Sequence, residues 1–197
     1  MSIFGTKFSQ KWAVCSPNKK LNKRLTYFGP KRFPMIIKEL IHSLPQIGKV
    51  EWIGLRPASR TSLLEVEAVE AQTDNGLTGD RYAGQNGKRQ VTLIQAEHLV
   101  AAGSILQREP INPQLTRRNI VVSGINLLAL KDQQFRIGEA ILEMTGKCFP
   151  CQRMEENLGP GGYNAMRGHG GITARVIKGG AINLGDEVAL ILPEKQL

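Results

Sequence analysis

The stretch Ala140-Ile141-Leu142-Glu143-Met144-Thr145-Gly146-Lys147-Cys148-Phe149-Pro150-Cys151-Gln152-Arg153-Met154-Glu155-Glu156 decides how this chain is to be read. An apolar run with strand character feeds a Cys-x-x-Cys pair. A short helix-like segment follows, then a Gly-rich loop from Gly159 to Gly171. A second apolar run closes the unit at Gly185-Asp186. Two thiols therefore sit where a strand gives way to the start of a helix.

Working outward, the flanking sequence is mostly short strands. Ile172–Ile177 and Val188–Leu192 read as strands after the loop. Before it, Phe135-Arg136-Ile137-Gly138 turns tightly into Ala140, and Arg118–Val122, Arg89–Ile94 and Lys49–Leu55 have strand composition. Leu64–Glu70 alternates apolar with acidic residues, as one half-exposed strand would. Ala96–Leu106 is the one clear helix, and Met35–His42 predicts a short helix leading into the domain. Asp74–Gly87 is a long polar, Gly-rich connection of the kind that often carries function. Short strands at close spacing with few helices predict a mostly-β, barrel-like or sandwich fold with a few short helices, spanning residues 35–197. A doubly wound sheet needs more helices between its strands.

Composition narrows the function classes. The chain has 197 residues, and no apolar run approaches the roughly 18 residues of a membrane span. It carries 26 Lys and Arg against 17 Asp and Glu. Nine of the basic side chains lie in residues 1–38, which hold no acidic one, so the remaining 17 are balanced by the 17 acids. Residues 1–34 are thus expected to form a basic, poorly ordered arm, a targeting peptide or an upstream extension. A nucleic-acid binder working through that arm is one function class. The neutral body and its scattered tyrosines offer no stacking platform for it. Three cysteines make a disulfide framework an unlikely design and favour a cytoplasmic setting.

Several uses compete for Cys148 and Cys151. Structural zinc needs four ligands, and Cys15, His42, His98 and His169 make no second pair. Thiol–disulfide exchange is imitated by Cys-Phe-Pro-Cys before a helix start, but only 46 Gly-rich, strand-like residues follow. The third use is a single reactive thiolate, with Cys151 nearest the first turn of the following helix. Two inert packed cysteines are the bland alternative. A second constellation is a set of basic residues, mostly arginines, beside turns: Arg81, Lys88 with Arg89, Arg117 with Arg118 next to Asn119, and Arg175. Each either pairs with a carboxylate such as Asp80, Glu143 or Asp186, or contributes to an anion pocket. Gly159-Pro-Gly-Gly162 and Gly168-His-Gly-Gly171 could bring backbone N–H groups to the same anion.

Gly79-Asp80-Arg81, Arg118–Val122, Phe135–Gly138, Cys148-x-x-Cys151-x-x-Met154, the Gly-rich loop and Gly180–Asp186 occur in this order. Together they resemble the MOSC domain family, named for the C-terminal domain of molybdenum-cofactor sulfurases, over about Gly48 to Leu192. The resemblance implies a β-rich, barrel-like fold. It also implies molybdenum cofactor (molybdopterin) binding or the handling of sulfur destined for it. Cys151 is the position that matters in the family, as catalytic residue and molybdenum ligand. Arg81, Arg89, Arg118 and Arg175 are then candidate anchors for the cofactor's anionic groups. Asn119 either hydrogen-bonds the pterin or orders the strand end, and His169 either lines the entrance or faces solvent. Cys148 is secondary, as a resolving thiol or a packing residue. Several family members reduce N-hydroxylated compounds, so one expected role is an oxidoreductase fed by an electron-donor protein. The other is a persulfide carrier served by a cysteine desulfurase. No stretch resembles a pyridoxal-phosphate domain, so that cofactor is not expected here.

Overall fold

The computed structural model describes residues 37–82 and 87–192. The expectations for residues 1–34 fall outside them. Seven strands close into a barrel: β1 (Gly48–Leu55), β5 (Val91–Gln95), β6 (Ile120–Ser123), β7 (Gln134–Ile137), β8 (Ala140–Lys147), β9 (Ile172–Lys178) and β11 (Glu187–Leu190). The hydrogen-bonded order is β11-β7-β8-β9-β5-β6-β1, and the β1–β11 pair completes the ring. All contacts in the ring are antiparallel except β5–β6, whose parallel register Leu93↔Ile120 requires the crossover through α2 (Ala96–Ile105). The mostly-β, barrel-like expectation describes this architecture.

Two sequence expectations need correction. Leu64–Glu70 is not one strand. It breaks at Glu67 into β2 (Leu64–Val66), which pairs with the second half of β1, and β3 (Ala68–Gln72). β3 instead joins β4 (Gly76–Leu77) and β10 (Gly180–Asn183) in a separate three-stranded sheet. A chain that changes sheets keeps its alternating pattern, so periodicity alone does not reveal the break. The Gly-rich loop is not all loop either, since it contains the single turn α5 (Gly162–Ala165). Another short helix, α3 (Pro113–Thr116), begins on the Asn112 cap, whose side chain accepts from the Gln114 N–H. The short lead-in helix α1 is present at Ile37–His42.

The barrel interior is filled by residues such as Val50, Ile53, Leu93, Ile120, Phe135 and Leu142. A second apolar cluster lies outside the wall, where Trp52, Ile94, Leu99 and Val121 meet Met154, Leu158 and Met166. Strand β1 serves both clusters because of a bulge. The register with β6 slips between Val50 and Trp52, so Glu51 is extra. Val50 and Ile53 consequently both point inward, three residues apart, and Trp52 faces the outer cluster. That cluster matters for function because it seats α4 (Gln152–Leu158) on the barrel: Met154 and Leu158 are almost wholly buried. The start of α4, and with it Cys151, is thereby held at one end of β8.

Candidate functional site

A cleft of about 380 Å³ opens between the ends of the barrel strands and α4. Its walls carry six arginines: Arg56, Arg81, Arg89, Arg117, Arg118 and Arg153. Thr92, Cys148, Met154, Tyr82 and Phe149 complete most of the lining, and Cys151 stands at the edge. Among the described residues only Arg56 of these arginines is held by a carboxylate. A cleft with this many unpaired guanidiniums is built to receive negative charge.

The Arg56 pair fixes one wall. Its Nε and Nη2 reach the two Asp80 oxygens at 2.9 and 2.6 Å, and its backbone N–H donates to Asp80 Oδ1 at 2.7 Å. Asp80 is fully enclosed on its side-chain atoms, so the pair is bidentate and dry on the acid side. Asn119 lies beneath it, completely buried. Its Nδ2 donates to Asp80 Oδ1 and to the Gly54 carbonyl, and its Oδ1 accepts from Thr92 N–H, Thr92 Oγ1 and Arg56 Nη2. With both amide hydrogens and the oxygen spoken for, Asn119 ties β1, β5, β6 and the Asp80 turn together, and it does not line the cleft. Arg81 follows in the same turn, its N–H bonded to the Arg56 carbonyl at 2.7 Å and its side chain exposed to the cleft.

Arg118 forms the floor. Only 6% of it is exposed, and among the described residues it forms no ion pair with a carboxylate. Nε donates to the Gly170 carbonyl at 2.7 Å, Nη1 to Thr116 at 2.8 Å and Nη2 to Cys148 at 3.4 Å. One guanidinium therefore ties the Cys-x-x-Cys segment and the Gly-rich loop to the end of α3. Burial pushes it below the usual arginine range. Cys148 and Cys151 oppose that shift, and Arg56 and Arg89 add to it. Gly170 is required at this junction, because a Cβ there would collide with the Cys148 carbonyl oxygen.

The two cysteines differ sharply. Cys148 is 4% exposed, and its N–H donates to the Gly171 carbonyl at 2.9 Å. Cys151 is exposed and caps α4, with its carbonyl accepting the Met154 N–H at 2.8 Å. Arg117 stands next to it in a left-handed backbone conformation (φ 59°), with Nη1 on the Thr61 carbonyl at 3.1 Å. Its pKa is lowered by burial first and then by the charges of Arg153, Arg56 and Arg81, while Cys151 acts in the opposite sense. Downstream, Glu155 holds the Gly-rich loop: its carboxylate accepts the N–H groups of Gly161 and Tyr163 at 2.7 and 2.8 Å. These bonds, Tyr163 first, lower its pKa.

Of the residues singled out in the sequence, Arg81, Arg89, Arg117, Arg118 and Cys151 come together at the cleft. Arg175 does not line it. It is exposed on β9 and bonded to both Glu143 oxygens at 3.0 Å. His169 also lies away from the lining, edge-on to His98 of α2 with ring centroids 5.0 Å apart. Both Nδ1 atoms of that pair are buried without a partner. Burial, then His169, lowers the His98 pKa, and Glu97 raises it. Sequence reasoning missed Arg56 and Arg153. Arg56 sits beside the turn that ends β1, the same signal that marked Arg81, whereas Arg153 on a short helix carries no such mark.

A family model for the MOSC domain matches residues 78–189. No match was found among curated proteins. Among solved structures, the YuaD protein from Bacillus subtilis superposes with a TM-score of 0.64 at 20% identity, covering 75% of this chain and 98% of that one. YiiM from Geobacillus stearothermophilus superposes at 0.61 and 15% identity, over 76% and 77% of the two chains. YiiM from Escherichia coli gives 0.57 at 16% identity, over 76% and 72%. At these identities the likeness is one of fold. Among the described residues no helix is long and apolar enough to cross a membrane.

Proposed function

The chain belongs to the MOSC domain family, and from that premise we propose that its arginine cleft binds the molybdenum cofactor, with Cys151 as the sulfur ligand to the metal. The single observation that carries the reading is the pairing of one exposed thiol with unpaired guanidiniums at the same cleft. The donor set suits the group. Molybdenum in a pterin dithiolene is a soft, sulfur-rich centre for which a thiolate is a fitting further ligand. The cofactor's phosphate needs guanidiniums, which Arg81 and Arg89 offer without a competing carboxylate among the described residues. Phe149, 72% exposed, provides a flat face for the pterin.

When bound, the cofactor supplies two-electron reduction at the metal. The chain's own residues hold it there. Arg118 and Glu155 fix the segments on either side of Cys151, so the thiol stays at the cleft without a change of backbone. The reaction that best suits such a site is reduction of an N-hydroxylated compound: two electrons and two protons convert the N–OH group to N–H and water. The electrons for it would come from a partner donor protein. Exposure of Cys151 also suits a second role, in which its thiolate attacks the outer sulfur of a desulfurase persulfide and releases the donor cysteine. The experiment is a loading assay. The purified chain is mixed with cofactor, passed through gel filtration and analysed for molybdenum. Retention near one metal per chain, weakened by Arg81→Ala with Arg89→Ala, supports the reading. Retention that ignores both arginines refutes their part in it.

A further inference from the structure

Two clefts meet at Cys151. The second, about 650 Å³, shares Arg117, Arg153 and Cys151 with the first and adds Arg60, Gln152 and Glu156. Asn157 completes it. None of its lining residues is aliphatic or aromatic, whereas the first cleft includes Tyr82, Phe149 and Met154. An apolar compound would find little to bury against in the second cleft. Its charge is also one-sided: three guanidiniums face the single carboxylate of Glu156. None of the three forms an ion pair among the described residues. Arg117 and Arg153 stand close enough to repel one another, and after burial Arg153 is the largest influence on Arg117. The frame is fixed all the same. Arg117 is tethered to the Thr61 carbonyl, and Asn157 Nδ2 donates to the Leu115 carbonyl at 2.8 Å. An anion placed between Arg60, Arg117 and Arg153 neutralises a repulsion that the fold otherwise bears.

We infer that this second cleft is the substrate's approach to Cys151, and that the compound it takes carries a carboxylate or phosphate held by Arg60, Arg117 and Arg153. The inference rests on the cofactor occupying the first cleft. Arg60 is its specificity residue, because it lines the second cleft and not the first. Glu156 is left to accept an N–H or O–H of the same compound.

The test has two arms. One needs no cofactor. Cys151 of the purified chain is alkylated with iodoacetate or with iodoacetamide, and peptide mass spectrometry gives the ratio of rates. An unstructured cysteine peptide supplies the reference ratio. The anionic reagent should gain about tenfold over that reference in wild type. Arg60→Glu should cut the gain measurably, as should high salt, and a gain unchanged by Arg60→Glu would overturn the role given to Arg60. The other arm uses cofactor-loaded protein with a chemical reductant and compares benzamidoxime with 4-carboxybenzamidoxime. Wild type should favour the carboxylate in kcat/KM by about tenfold, and Arg60→Glu should abolish the preference. Equal turnover of the two compounds overturns the inference while leaving the cofactor reading intact. If neither compound reacts, the reductase reading falls, and alkylation alone decides the cleft. An iodoacetate ratio equal to the peptide's, in wild type and Arg60→Glu alike, overturns the inference.

Discussion

Replacing Arg118 with lysine isolates what the guanidinium fork contributes. Lysine keeps the charge and most of the apolar stem, so the burial cost of a cation is unchanged to first order. Its ammonium is a point, however, and the three carbonyls that Arg118 serves belong to separate segments, at Gly170, Thr116 and Cys148. One ammonium satisfies one or two of them. The Cys148 bond is long at 3.4 Å and weak, so the main loss is one of the two short bonds. A hydrogen bond to a charged group contributes about 1.5–3 kcal/mol, and an orphaned buried carbonyl costs on the same scale. The expected destabilisation is therefore about 2–3 kcal/mol, or a fall in Tm of about 5–10 °C for a domain of this size. Arg118→Met is a less decisive change. It orphans all three carbonyls yet removes a buried cation without a carboxylate partner, and these effects oppose each other. Thermal melts of Arg118→Lys, with amide hydrogen exchange across residues 146–152 and 168–172, make the assay. A Tm within about 1 °C of wild type, with unchanged exchange in both segments, would refute the role assigned to the fork.

Glu155→Gln should lower Tm at neutral pH, since the amide replaces a carboxylate that accepts two backbone N–H bonds. The folded pKa is depressed, so the carboxylate's stabilisation is complete above the ordinary glutamate range, about 4.3, and is lost as pH falls through the folded value. The melting difference between wild type and variant should therefore shrink as pH is lowered from 7 into that acidic range, and a constant difference would contradict this. Arg175→Ala should cost under about 1 kcal/mol, because its pair with Glu143 is half-exposed. It should also leave molybdenum retention unchanged, and loss of retention would place Arg175 in the site after all.

The barrel was legible because its strands carry their own signatures. The tight turn at Gly138 and the alternation Ala140-Leu142-Met144 toward the core mark β7 and β8 from local sequence alone. Legibility failed wherever a long-range pairing decided the outcome. Leu64–Glu70 alternates smoothly across a change of sheet at Glu67. The bulge at Glu51, which lets Val50 and Ile53 share one interior, depends on the register with β6 and on nothing local. For the site, sequence reasoning found arginines near turns but not their loyalties. Arg175 and Arg118 look alike in a strand context, yet one pairs with Glu143 on the outside and the other serves three carbonyls on the inside. Asn119 is similar: its bonds run to Gly54, Asp80 and Thr92, all distant in sequence.

The central claim is that Cys151 binds the metal while Cys148 packs. The direct measurement is the molybdenum content of wild type, Cys151→Ala and Cys148→Ala, each purified from cells that make the cofactor. Wild type should retain the metal, Cys148→Ala should lose only part of it, and Cys151→Ala should lose it altogether. Molybdenum held by Cys151→Ala at the wild-type level, or absent from wild type itself, would contradict the claim.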